Sequence, residues 1–90
     1  MKALKIVVSG RVQRVAYRVS TKAVADQMGI KGIIKNQKDG SVYIEAEGDE
    51  EMMDEFIDWC KYGPDNARVD DIVMEEMEAK NYQNFNILKK

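Results

Sequence analysis

No histidine occurs in this chain, and cysteine, proline and tryptophan occur once each. The missing imidazole excludes histidine-based acid–base catalysis and removes the commonest transition-metal ligand. Cys60 alone cannot close an internal disulfide, which fits a reducing compartment and a cytoplasmic location. Long apolar runs are also lacking. The stretch from Met1 to Val8 is broken by Lys5 and is too short for a signal-peptide core. No segment approaches the roughly 20 apolar residues of a membrane span. Charge is balanced: 14 Lys and Arg against 16 Asp and Glu leave a net −2. That argues against a nucleic-acid binder with a broad basic face, but not against a small positive pocket.

What is present suits one domain over residues 1–90, with 44% apolar and 33% charged residues. Leu4, Ile6 and Val8 alternate with polar or smaller neighbours, the pattern of a half-buried strand. Tyr17, Thr21, Val24 and Met28 then fall on one helical face, with Ala25 alongside and Gly29 as the stop. Residues 31–37 read as a strand, Asp39-Gly40 as a hairpin turn, and Val42, Ile44 and Ala46 as the inward side of the next strand. Asp49 is placed to cap a second helix whose stripe is Met52, Met53, Phe56, Ile57 and Cys60. Gly63-Pro64 ends it. Residues 67–77 are extended, residues 80–83 form a polar turn, and a short strand carries Phe85 and Ile87. The order β-α-β-β-α-β predicts a ferredoxin-like α/β sandwich, an antiparallel sheet of four to five strands with two helices on one face.

Chemistry concentrates at Gly10 to Arg18, which reads GRVQRVAYR between the first strand and first helix. A short loop entering a helix gathers free backbone N–H groups, a natural anion site. Arg18 is either a solvated arginine in a turn where the helix dipole disfavours a cation, or a fork closing over a bound anion. Asn36, by itself, reads as a turn residue. Cys60 reads as a packed core thiol, Trp59 as a half-buried helix residue and the methionines as core filling. The acidic residues from Asp49 to Glu55 lack the ligand spacing of a calcium loop. Asp70, Asp71, Glu75 and Glu76 read as the exposed face of a strand.

The same stretch resembles the acylphosphatase pattern, roughly G-x-V-Q-G-V-x-F-R. The likeness continues through Ala25, Met28-Gly29, Gly32, Asn36, Asp39-Gly40-Ser41-Val42, Gly48, Phe56, Gly63 to Val69 (GPDNARV) and Phe85. Three departures stand out: Arg14 at the usual glycine, Tyr17 for the usual phenylalanine, and Ile33 where tryptophan is common. The resemblance implies the same ferredoxin-like fold. It also implies metal-independent hydrolysis of small acyl phosphates to carboxylate and inorganic phosphate, without cofactor or covalent phospho-enzyme. Arg18 would be the catalytic, phosphate-binding arginine, and Asn36 would orient the attacking water. Val12, Gln13, Arg14, Val15, Ala16 and Tyr17 would form the phosphate-binding loop. The expected partners are an acyl phosphate or inorganic phosphate, with no nucleic acid or membrane, and the expected state is a monomer.

Arg14 leaves two branches open. An arginine at positive φ costs about 1 kcal/mol, yet if the loop keeps its shape the guanidinium adds a cation at the rim. If the loop shifts, its amides no longer converge, and the chain becomes a catalytically impaired anion- or partner-binding module. An RNA-binding reading, which shares this strand order, needs exposed aromatics on the central strands. Tyr43 is the one candidate on the third strand, and the first strand has none.

Overall fold

In the computed structural model, which describes residues 1–89, β1 (Lys2–Arg11) buries Leu4, Ile6 and Val8 on one face. The chain continues through α1 (Tyr17–Met28), β2 (Lys31–Asn36), β3 (Val42–Gly48), α2 (Glu50–Tyr62), β4 (Arg68–Glu76) and β5 (Phe85–Ile87). The five strands form one sheet in the order β4-β1-β3-β2-β5. β1 pairs antiparallel with β3 and β4, and β2 pairs antiparallel with β3. The sheet is not wholly antiparallel, because β5 joins β2 in parallel. β4 closes one edge and β5 the other, so the connecting chain must cross a whole face, and this decides how β5 enters.

Ile6, Ile34 and Ile44 of the sheet meet Tyr17, Ala25, Met53 and Phe56 of the two helices in one core. Phe56 and Phe85 contact edge to face, with ring centroids 6.1 Å apart. Each buried side chain of this size contributes about 1.5–3 kcal/mol. Gly29 ends α1 in the left-handed conformation at φ 70°, its N–H donating to the Ala25 and Asp26 carbonyls. Asp49 does occupy the N-cap of α2, but its side chain makes no capping hydrogen bond. Glu50 and Glu51 supply the acidic first turn instead, favoured by the helix dipole. Among the described residues no helix is long and apolar enough to cross a membrane.

The face away from the helices holds a polar surprise. Alternation along β3 turns Glu45 and Glu47 outward, yet they are only 6% and 2% exposed. The crossing chain between β4 and β5 covers them. Tyr43 and Tyr82 hydroxyls each donate to Glu45 at 2.5 Å, and Lys80 Nζ lies 3.0 Å from the same carboxylate. Glu47 accepts the backbone N–H of Lys80 and, at 3.1 Å, that of Tyr82. These carboxylates anchor a connection that offers little apolar surface of its own.

Burial pushes the Glu45 carboxyl up, but hydrogen bonds from Tyr43, Tyr82 and Lys80 outweigh it and hold it below the ordinary glutamate range. Burial and the hydrogen bond to Glu45 push the Tyr82 phenol up to about 12. A carboxylate with a depressed folded pKa stabilises the fold above the unfolded value and loses that contribution as pH falls through the folded one. Glu45→Gln is therefore expected to destabilise the protein near neutrality by about 1–3 kcal/mol. It should also flatten the loss of stability on the acid side. Urea denaturation across a pH series checks this, and parallel pH profiles for the two proteins would contradict it.

Candidate functional site

β1 leads into the loop through a bulge. Ser9 pairs with Asp71 but Gly10 pairs with Val69, so Asp70 is an extra residue in β4. Gly10 sits at φ +127°, and a Cβ there would lie 2.2 Å from the Arg68 carbonyl oxygen. This glycine thus serves the bulge, where only a bare Cα fits.

The loop that follows is pinned at both ends. Val12 and Tyr17 are each 1% exposed. The Tyr17 hydroxyl donates to the Cys60 carbonyl at 2.8 Å, and its ring lies 5.7 Å from that of Trp59. Between these anchors Arg14 and Ala16 both take the left-handed conformation, each at φ 63°, while Val15 between them does not. Alternation of hand between neighbouring residues is the backbone pattern of anion-binding nests. Arg14 thus adopts positive φ with its side chain exposed.

Among the described residues, no backbone N–H from Gln13 to Val19 donates to a protein acceptor. Ala16 caps α1 with no side-chain hydrogen bond, and the first turn holds no acidic residue. The positive end of the helix is therefore left uncompensated.

Arg18 stands one residue inside α1. Its Nη1 donates to the Leu88 carbonyl at 3.4 Å, and the Leu88 N–H donates to the Ile34 carbonyl at 2.8 Å. The guanidinium is thereby held beside the end of β2. A groove lined by Arg18, Val19, Ile87 and Lys89 opens there. Among the described residues no carboxylate lies within ion-pair distance of Arg14 or Arg18.

Asn36 is the last residue of β2 and pairs with Val42, on the sheet face that carries Ile34 and the helices. Its Oδ1 is buried and has no hydrogen-bond partner among the described residues. Such orphaned buried acceptors are uncommon and call for an explanation. The adjoining turn is tightly bonded. Asp39 accepts the Ser41 hydroxyl at 2.6 Å and the Ser41 N–H at 3.0 Å, bonds that lower the Asp39 pKa.

Of the residues expected from sequence, the fold gathers the loop, Arg18 and Asn36 at one end of the sheet. It gives the Gln13 side chain a task that sequence reasoning missed. Gln13 Nε2 donates to the Gln37 and Ser41 carbonyls at 2.8 and 2.9 Å, tying the loop to the hairpin that carries Asn36. No local signal marks this, since the partners lie 24 and 28 residues away. Tyr43, the candidate for base stacking, has its hydroxyl on Glu45 and the Lys35 ammonium 5.5 Å from its ring. Among the described residues no three His, Cys, Asp or Glu side chains gather as a metal site.

Known proteins match the chain along nearly its full length. The acylphosphatase family model matches residues 4–87. Acylphosphatases of Ligilactobacillus salivarius and Archaeoglobus fulgidus are 48% and 45% identical to it, each alignment covering 97% of this chain and 98% of the relative. The crystal structure of acylphosphatase from Bacillus subtilis superposes with a TM-score of 0.95 at 35% identity, covering 98% of this chain and 99% of that one. The chain belongs to the acylphosphatase family.

Proposed function

We propose that residues 1–90 act as one acylphosphatase domain that hydrolyses small acyl phosphates without a metal, using the Val12–Tyr17 loop and Arg18 to hold the phosphoryl group and Asn36 to place the water. The observation that carries this reading is a complementarity of unmet bonds. Backbone donors without protein acceptors run from Gln13 to Val19, and Asn36, whose buried Oδ1 has no donor, lies at the same end of the sheet. A phosphoryl group accepts hydrogen bonds and a water donates them.

The division of labour follows from the chemistry. Water oxygen forms a bond to phosphorus as the bond from phosphorus to the acyl oxygen breaks, and the leaving carboxylate is stable without a proton. No general acid is needed. The water's proton ends on phosphate or solvent. The protein's work is to neutralise charge on the equatorial oxygens and fix the water in line. The loop amides and the Arg18 fork suit the first task. Asn36 Oδ1, accepting a hydrogen bond from the water, suits the second, with the amide NH₂ left to donate elsewhere. A cytoplasmic monomer that binds no nucleic acid belongs to the same reading; the free thiol of Cys60 fits the reducing compartment.

Hydrolysis of benzoyl phosphate by the purified protein in the presence of EDTA tests the proposal. Arg18→Ala is expected to lower kcat by about 100- to 1,000-fold, the usual cost of losing one preorganised donor. It should also weaken inhibition by inorganic phosphate. Asn36→Ala should lower kcat on a similar scale but leave phosphate inhibition nearly unchanged, because it removes water placement alone. Wild-type turnover no greater than that of Arg18→Ala would instead support an anion- or partner-binding module.

Arg14→Gly separates loop geometry from charge. Glycine relieves about 1 kcal/mol at positive φ but frees the unfolded chain, so stability should change by less than about 1 kcal/mol. Removing a rim cation should raise KM in a salt-sensitive way while kcat stays within about threefold. A large change in kcat would show that the Arg14 side chain enters the transition state.

A further inference from the structure

The Gln13 carboxamide is the one side-chain link between the loop and the hairpin among the described residues. Both of its N–H bonds end on carbonyls at the mouth of the β2–β3 turn. Gln37, the first acceptor, immediately follows Asn36 in the chain. Ser41, the second, immediately precedes Val42, the β3 residue opposite Asn36. Gln13 therefore grips the two backbone positions that flank the Asn36–Val42 pair. Those carbonyls are not otherwise empty. Gln37 O accepts the Gly40 N–H at 3.2 Å, and Ser41 O accepts the Gln37 N–H at 2.9 Å. The hairpin is thus closed by its own bonds, and Gln13 adds a connection rather than completing the turn.

The link relates the loop to the hairpin. Two non-glycine residues at positive φ, Arg14 and Ala16, follow Gln13. Such conformations persist where the surroundings over-determine them. Val12 and Tyr17 do this from the core at the loop's two ends, and the Gln13 side chain bonds the loop to the backbone on either side of the Asn36–Val42 pair.

We propose that Gln13 is a positioning residue, setting the separation between the phosphoryl group on the loop and the water at Asn36. This rests on the water-placing role of Asn36 given above. The Gln13 side chain reaches neither reactant; it acts through Asn36. An attack in line is sensitive to small displacements, and an ångström of misplacement costs about 100-fold in rate.

The test is a double-mutant cycle on benzoyl phosphate hydrolysis, with inhibition by inorganic phosphate measured alongside. Gln13→Ala is expected to lower kcat by about 10- to 100-fold and to change the phosphate inhibition constant by less than about threefold. Added to Asn36→Ala, the same substitution should cost less than about threefold, because the group it positions is already gone. Gln13→Glu supplies a second readout that a merely structural role would not move. Its carboxylate cannot donate to two carbonyls, so kcat should be low near neutrality. As pH falls toward about 5, the carboxyl, raised by the facing carbonyls, gains one O–H that it can donate to one of them, and kcat should recover in part relative to wild type. Gln13→Ala has no such recovery. If Gln13→Ala fails to fold, the pH profile of Gln13→Glu decides. Wild-type kcat in folded Gln13→Ala, a full penalty in the Asn36→Ala background, or a flat Gln13→Glu profile would each overturn the proposal. Unchanged kcat in Asn36→Ala alone would instead overturn the water-placing role and leave the Gln13 link as a structural bond.

Discussion

Backbone donors left without acceptors at the start of α1 set the terms for the rest of this molecule. A helix N-terminus normally meets a capping side chain, an acidic first turn or water. Here Ala16 offers no cap, the first turn has no acid, and two residues before it are bent into the left-handed region. Each non-glycine residue there costs about 1 kcal/mol. The fold holds this arrangement by burying Val12 and Tyr17 on either side. The loop is thus a strained edge on a well-packed core, and on the proposed reading a bound phosphoryl group relieves its electrostatic imbalance.

The two faces of the sheet divide stability from chemistry. The helix face carries the apolar core and, at its end, the loop, Arg18 and Asn36. The other face carries Glu45 and Glu47, which fasten the long crossing to β5 through Tyr82 and Lys80. That crossing matters to the site because β5 delivers Leu88, whose carbonyl receives Arg18. A polar anchor on one face therefore supports the placement of the guanidinium on the other. The two buried carboxylates lie on the opposite face of the sheet from Asn36 yet are linked to Arg18 through β5.

Most of the fold could be read along the chain because its signals are local. The period of two in Leu4, Ile6 and Val8, the helical spacing from Tyr17 to Met28, and the stop at Gly29 each depend on neighbours within a few residues. Arg18 and Asn36 stand out through the resemblance to the family motif, and the fold sets both at one end of the sheet. Features made by distant partners were not. The parallel pairing of β5 depends on where the crossing chain lands. The burial of Glu45 depends on Tyr82, 37 residues on, and the Arg18–Leu88 bond spans 70 residues. Asn36 alone looked like a turn residue; only the packed structure reveals that its side-chain oxygen is buried and unmet.

The central claim is that the amides from Gln13 to Val19 form the phosphoryl-binding wall. Amide proton and nitrogen chemical shifts, followed by NMR while inorganic phosphate is added, test it most directly. The account predicts saturable shifts concentrated in that run of amides, with affinity sharply reduced in Arg18→Ala. Shifts scattered over the surface, or centred on another helix, would contradict it.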